Sequence, residues 1–76
     1  MGTTLDRLRL DRRAVVTGIN VRQDMKCRLA DFGLVPGTQV CCRYRSPGGK
    51  VTALALRGTV IALRTGDMEK IQVQCL

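Results

Sequence analysis

Short apolar runs, each ended by glycine, proline or a polar cluster, are the feature that most restricts how this sequence can fold. These runs are rich in β-branched residues or alternate between apolar and polar positions, as β-strands do. The five runs are Ala14–Ile19, Gln39–Arg45, Val51–Leu56, Thr59–Arg64 and Ile71–Gln74. The sequence therefore predicts about five short strands.

One helix is predicted between the first two strands, from Asp24 to Phe32. Met25, Leu29 and Phe32 are spaced at i, i+4 and i+7, which places them on one face of a helix. Asp24 is a suitable N-cap, because its carboxylate can accept a hydrogen bond from a free backbone N–H group. Asp24 can also pair with Arg28, four residues later.

The exit of this helix is closely specified. Gly33 is predicted to be the left-handed residue after the C-cap, with Leu34 folded back on Leu29. Pro36 prevents further helix, and Pro36-Gly37 suits the centre of a type II turn. Further along the chain, Thr65 is predicted to cap one helical turn over 65–70.

These elements predict a mostly β fold, a small barrel of about five strands with one inserted helix, in a single domain over 1–76. The core must be aliphatic, because Tyr44 and Phe32 are the only aromatic residues, and both are predicted to face inward. The predicted core is Val16, Leu29, Val40, Leu54, Ile61, Leu63 and Ile71.

Charge is the strongest compositional signal. Thirteen Lys and Arg residues against six Asp and Glu residues give a net charge of +7. Such a protein favours an acidic partner: nucleic acid, an anionic membrane face or an acidic protein surface. The charges are scattered, however, so a merely solvated basic surface is an equal alternative.

Catalysis and resident metal are not expected. The chain has no histidine, so a thiol nucleophile would lack its usual base. Cys41 and Cys42 are adjacent and would point to opposite faces of a strand, and Cys27 and Cys75 complete no chelating spacing. With no secretion signal in the first residues, the cysteines are expected to be reduced and the protein cytoplasmic. No cofactor is predicted.

The sequence resembles a known family, the ferrous iron transport protein A (FeoA-like) domain. The segment that carries the resemblance is Met25-Lys26-x-Arg28-Leu29-x-Asp31-x-Gly33-Leu34-Val35-Pro36-Gly37-Thr38. The tail is similar too, in Leu56-Arg57-Gly58-x-x-Ile61-Ala62-Leu63-Arg64 and Ile71-x-Val73. Asp11 and Phe32 depart from the family, which usually has Gly and Leu at these places.

The resemblance implies an SH3-like barrel and a cytosolic accessory to the ferrous iron permease, a membrane protein with its own GTPase domain. Contact with the membrane is expected only through this partner, and ferrous iron only as the permease's cargo. Two alternatives stay open: a small basic RNA-binding barrel and a metal-responsive SH3-like regulatory domain. Proteins that read single-stranded RNA stack bases on exposed aromatic side chains. Since Tyr44 and Phe32 are both predicted to face inward, nucleic acid is not the expected partner.

Two candidate docking surfaces follow. Alternation along strand 39–45 places Arg43 and Arg45 on the outward face, opposite Val40, Cys42 and Tyr44. The first surface is a basic patch of Arg43, Arg45, Lys50, Arg57 and Arg64. The second is the helix–turn segment Leu34, Val35 and Pro36.

Overall fold

The computed structural model describes residues 2–76. The strands are β1 (Gly2–Thr4), β2 (Arg13–Ile19), β3 (Gln39–Arg45), β4 (Val51–Leu56), β5 (Thr59–Arg64) and β6 (Ile71–Cys75). A 3-10 helix covers Leu5–Arg7, and the α-helices are α1 (Gln23–Asp31) and α2 (Thr65–Met68). The mostly β prediction is confirmed, and the bounds predicted for β3, β4 and β5 are those observed.

All six strands belong to one antiparallel sheet in the order β1-β6-β2-β3-β4-β5. The sequence predicted five strands and left 2–4 unassigned. β1 is three residues long and has no apolar pattern of its own, since Gly2, Thr3 and Thr4 pair with the last strand through the backbone. Helix α1 lies between β2 and β3 in the chain, as predicted.

Helix α1 begins differently from the prediction. Its N-cap is Arg22, which makes no side-chain capping bond, and Asp24 lies within the first turn. An Oδ1 of Asp24 accepts a hydrogen bond from the Met25 N–H at 2.9 Å and lies 3.7 Å from Nε of Arg22. The predicted Asp24–Arg28 pair is thus replaced by a pair with the residue before the helix. A carboxylate in the first turn is still favoured by the helix dipole.

The predicted helix exit is confirmed. Gly33 has a φ of +91°, its N–H donates to the Ala30 carbonyl at 2.9 Å, and the Leu34 N–H donates to the Leu29 carbonyl at 2.9 Å. These two bonds define a Schellman motif. Leu34 is thereby carried back into the core, where it is fully buried.

The turn that follows is confirmed as well. Gly37 has a φ of +95°, and the Thr38 N–H donates to the Val35 carbonyl at 3.0 Å across Pro36-Gly37. The Thr38 hydroxyl donates to the Gly33 carbonyl at 2.7 Å and accepts from the Val35 N–H at 3.2 Å. One buried threonine therefore joins the helix exit to the turn.

A β-bulge interrupts β3. Cys42 is opposite Leu54, but Tyr44 is opposite Ala53, so Arg43 is an extra residue with no partner on β4. An extra residue shifts the alternation by one position. Tyr44, predicted to be inward, is instead 60% exposed on the outer face.

The bulge moves Arg45 in the opposite sense. Arg45 is opposite the buried Thr52 and is half-buried, so the prediction that it points outward with Arg43 is wrong. Its guanidinium donates hydrogen bonds to the carbonyl oxygens of Asp6 and Leu8. Arg45 therefore holds the N-terminal segment against the sheet.

The core is aliphatic, as predicted, and larger than predicted. Six of the seven predicted residues are buried, and Ile61 is half-buried against them. Phe32 is 53% exposed, because α1 ends at Asp31 and Leu34 fills the core instead. The remaining core residues are Leu5, Leu8, Ala14, Leu34, Cys42, Leu56, Met68 and Val73.

The second helix also begins differently from the prediction. The N-cap of α2 is Arg64 and makes no side-chain bond, while the Thr65 hydroxyl donates to the Gly49 carbonyl. Thr65 therefore ties α2 to the β3–β4 loop rather than capping the helix. Neither helix within residues 2–76 is long and apolar enough to cross a membrane.

Candidate interaction surface

The predicted basic patch is divided between the two ends of the β4–β5 hairpin. Lys50 precedes β4 and Arg64 ends β5 opposite Val51, so these two cations lie at one end. Arg57 lies in the two-residue turn at the other end, roughly 20 Å away at about 3.3 Å per strand residue. The expectation that the five cations form one patch is therefore wrong.

The second predicted surface is only partly accessible. Leu34 is fully buried in the core and cannot contact a partner, whereas Val35 is half-buried and Pro36 is exposed. Val35 and Pro36 share a shallow cavity of about 450 Å³ with Arg57. The structure thus brings Arg57 beside this turn and away from Lys50 and Arg64.

A row of four side chains crosses the outer face of the sheet. The register places Arg13 opposite Cys41, Cys41 opposite Ala55, and Ala55 opposite Val60. The adjacent residues Ala14, Val40, Cys42, Leu54 and Leu56 are buried, so this row points outward. Val60 is 62% exposed. An apolar floor of Cys41, Ala55 and Val60 therefore lies open on a face that solvated sheets usually cover with polar residues.

Three arginines line the shallow depression over this floor, which has a volume of about 430 Å³. They are Arg13 on β2, Arg43 at the bulge and Arg57 in the β4–β5 turn. We call this depression, with its apolar floor and its three arginines, the outer groove. Two of the predicted patch residues belong to it, and Arg13 was missed.

A sequence signal for the outer groove exists in strand β4. Its sequence is VTALAL, so apolar residues occupy both faces rather than alternate positions. A strand of this kind is typical of a sheet that is covered on both sides. The inner face of β4 is covered by the core, whereas Ala53 and Ala55 on the outer face are half-buried.

Most of the cations carry no paired carboxylate. Among residues 2–76, two ion pairs lie within 4.0 Å, Arg22–Asp24 and Arg43–Asp11, and both are exposed. Arg13 and Arg57 belong to neither pair. The outer groove therefore keeps most of its positive charge available to an acidic partner.

The cysteines are four free thiols in different environments. Cys42 is buried, and burial raises the pKa of its thiol against the opposing effect of Arg45. Cys41 is half-buried in the outer groove, and Cys27 and Cys75 are exposed. In the part of the chain from residue 2 onward, no three Cys, Asp or Glu side chains converge as metal ligands would.

Comparison with known families identifies the chain. The FeoA domain model matches residues 3–75. The chain belongs to the FeoA domain family. No curated protein matches the sequence.

Solved structures agree with this assignment. The FeoA protein of Chlorobium tepidum has 28% identity and a TM-score of 0.94 over 97% of this chain and 70% of its own. The FeoA-like protein of Clostridium acetobutylicum has 29% identity and a TM-score of 0.85 over 99% of this chain and 87% of its own.

A third relative connects the fold to transport. FeoA of Stenotrophomonas maltophilia, solved with zinc, has 28% identity and a TM-score of 0.80 over 95% of this chain and 89% of its own. It is described as a procaryotic SH3 domain protein and a candidate activating factor of ferrous iron transport. The predicted family and SH3-like fold are confirmed, and this FeoA domain is linked to ferrous iron transport.

Proposed function

We propose that this FeoA domain is a cytoplasmic accessory of ferrous iron uptake that docks on the cytoplasmic portion of a ferrous iron permease and modulates transport. The observation that carries this proposal is the outer groove. It offers an open apolar floor on a sheet face beside three arginines, of which only Arg43 has a carboxylate within 4.0 Å among residues 2–76.

Two kinds of side chain in the outer groove can contribute to binding. Val60 and Ala55 can lose their contact with water when a partner covers them, which supplies affinity. The surrounding arginines speed encounter with an acidic surface and disfavour basic ones. This contribution weakens with salt, since the Debye length is about 10 Å at 0.1 M.

A pull-down with the permease's cytoplasmic domain tests the proposal. We expect Arg43→Glu with Arg57→Glu to slow association and to flatten its salt dependence. We expect Val60→Asp to weaken binding about tenfold or more through the lost apolar contact. Lys26→Glu with Arg28→Glu makes the same charge change on helix α1 and is the matched control.

Equal binding by the groove variants and the parent would show that another surface docks. Equal losses in the groove pair and the control pair would reduce the effect to net charge. Absence of binding by the parent itself would remove the proposed partner.

We also propose that the domain acts without catalysis and without a metal of its own. Among residues 2–76 no three Cys, Asp or Glu side chains converge as metal ligands would, and the sequence has no histidine to assist a thiol. Elemental analysis after dialysis should find well under one iron or zinc per chain. One tightly held ion that is lost in a Cys41→Ser, Cys42→Ser double variant would overturn this part of the proposal.

RNA binding is a second candidate, because the aromatic side chains are not buried. Tyr44 is 60% exposed on β3 beside Arg43, and Phe32 is 53% exposed at the end of α1. Exposed aromatic rings can stack on bases. A gel shift with single-stranded RNA, run beside the pull-down, separates the two functions: tight RNA binding without permease binding would favour the second.

A further inference from the structure

Four arginines lie together in the segment that leads into strand β2, and the last of them is the first residue of that strand. Arg7, Arg9, Arg12 and Arg13 line one cavity of about 290 Å³, together with Leu8 and residues at the end of β6. We call 7–13 the arginine loop. It is separate from the cations that the sequence pattern singled out, and it shares only Arg13 with the outer groove.

The arginine loop is held by backbone hydrogen bonds. The Asp11 N–H donates to the Cys42 carbonyl at 2.8 Å, and the Arg12 N–H donates to the Arg9 carbonyl at 3.2 Å. Asp11 adopts a φ of +64°, which turns the chain back toward the sheet. Arg45 adds hydrogen bonds to the backbone just before and at the start of the loop. The shape of the loop is thus fixed by hydrogen bonds within the chain.

The charge of the loop is nearly uncompensated. It contains four arginines and one acid, Asp11, and that acid pairs with Arg43 on β3 at 3.4 Å. Within residues 2–76, no carboxylate lies within 4.0 Å of any of the four guanidinium groups. The loop therefore presents a concentrated positive charge.

An aliphatic side chain stands among these cations. Within the loop, Leu8 is buried in the core, whereas Leu10, two residues later, is 45% exposed. A cluster of four arginines can meet the headgroups of an anionic bilayer, and an exposed apolar side chain beside them can enter the interface. Binding of single-stranded RNA would instead need aromatic side chains that stack on the bases, and the loop has no aromatic residue.

We propose that the arginine loop binds the surface of a membrane that contains anionic phospholipids, with Leu10 entering the headgroup region. This departs from the expectation that the domain meets the membrane only through its partner. It does not rest on the proposed docking function, because vesicle binding needs no permease. Since Arg13 belongs to both surfaces, a domain bound in this way holds the outer groove close to the headgroups.

Co-sedimentation with vesicles tests this proposal. The parent should bind vesicles of phosphatidylcholine mixed with phosphatidylglycerol and not vesicles of phosphatidylcholine alone. An arginine near an anionic surface contributes about fivefold to binding, so Arg9→Gln with Arg12→Gln should weaken it about 25-fold. Lys26→Gln with Arg28→Gln removes the same charge from helix α1 and should have little effect. Leu10→Ser should weaken binding several-fold with no change in charge.

Three outcomes would overturn the proposal: no binding to the mixed vesicles, equal losses in the loop and control pairs, or full release by millimolar inorganic phosphate. The last result would mark a site for free phosphate. Tight RNA binding that is lost in the loop pair, without vesicle binding, would assign the loop to nucleic acid. The loop pair should leave the pull-down with the isolated permease domain intact, so the two proposals fail separately.

Discussion

Adding even a small side chain at Gly33 should lower the free energy of unfolding strongly. Its φ of +91° lies beyond the left-handed region that other residues visit, and both Schellman hydrogen bonds depend on it. We therefore expect Gly33→Val to lower the free energy of unfolding by straining the exit of helix α1. Gly33→Ala should act in the same direction with a smaller effect.

The magnitude follows from the backbone. A left-handed conformation costs an L-residue about 1–2 kcal/mol, and β-branching adds to that cost. We expect about 1.5 kcal/mol for Gly33→Ala and about 3 kcal/mol for Gly33→Val. For a domain of this size, about 1 kcal/mol corresponds to roughly 4–8 °C, so the valine variant should melt about 12–24 °C below the parent.

Contact with a neighbouring side chain is a competing explanation that can be removed. A Cβ added at Gly33 would lie 2.8 Å from Cδ of Arg57, a flexible side chain that can move. If backbone strain dominates, Gly33→Ala should cost the same in an Arg57→Ala background, within about 0.5 kcal/mol. Gly66→Ala is the matched control, because Gly66 lies in α2 without a positive φ and an added Cβ there would have no atom within 4 Å. That control should stabilise by about 0.4–1 kcal/mol. Thermal melts that show Gly33→Ala equal to the parent would refute the strain argument.

Three further substitutions test other features of the structure. Arg45→Met should lower the free energy of unfolding, measured by chemical denaturation, by about 2 kcal/mol, because two carbonyl oxygens of the N-terminal segment lose a charged donor. Arg43→Met, at the exposed bulge, should lower it by under about 0.5 kcal/mol. Arg22→Ser should stabilise α1 by about 1 kcal/mol in a thermal melt, because it supplies the missing N-cap acceptor; an unchanged melt would show that the cap is not limiting. Because the pKa of the Cys42 thiol is raised, its contribution to folded-state stability is complete below the unfolded thiol's pKa of about 8.5 and is lost as pH rises toward the folded pKa. Cys42→Ala should therefore reduce the loss of stability at alkaline pH. Under native conditions a thiol reagent should modify the exposed Cys75 and spare the buried Cys42.

Local chemistry explains why part of the fold could be predicted. Gly33 and Pro36-Gly37 each allow few backbone conformations, and their predicted turns are those observed. Strands β4 and β5 are separated by Arg57-Gly58, which takes positive φ at both residues, so their bounds follow from the sequence. The turns that glycine and proline restrict were therefore predicted correctly.

Elements fixed by distant partners were not. β1 forms by pairing with β6, more than 65 residues away in the chain, and its own residues carry no strand pattern. Phe32 was predicted to face inward because the helical spacing was extended one residue beyond Asp31, where α1 ends. Leu34, which replaces it, reaches the core only through the Schellman turn.

The bulge in β3 explains why the candidate site was the hardest part to predict. A strict two-residue period would place Arg43 and Arg45 together outside and Tyr44 inside, and a single extra residue reverses this for Tyr44 and Arg45. Arg45 becomes a structural donor that holds the N-terminal segment, and Arg43 stays outside and pairs with Asp11 of the arginine loop. The bulge therefore affects both surfaces: it leaves Arg43 without a partner on β4 at the outer groove, and it turns Arg45 inward, where Arg45 fixes the base of the arginine loop. Charge composition alone could not locate either surface, because the net charge of +7 is the same whichever face Arg43 and Arg45 occupy.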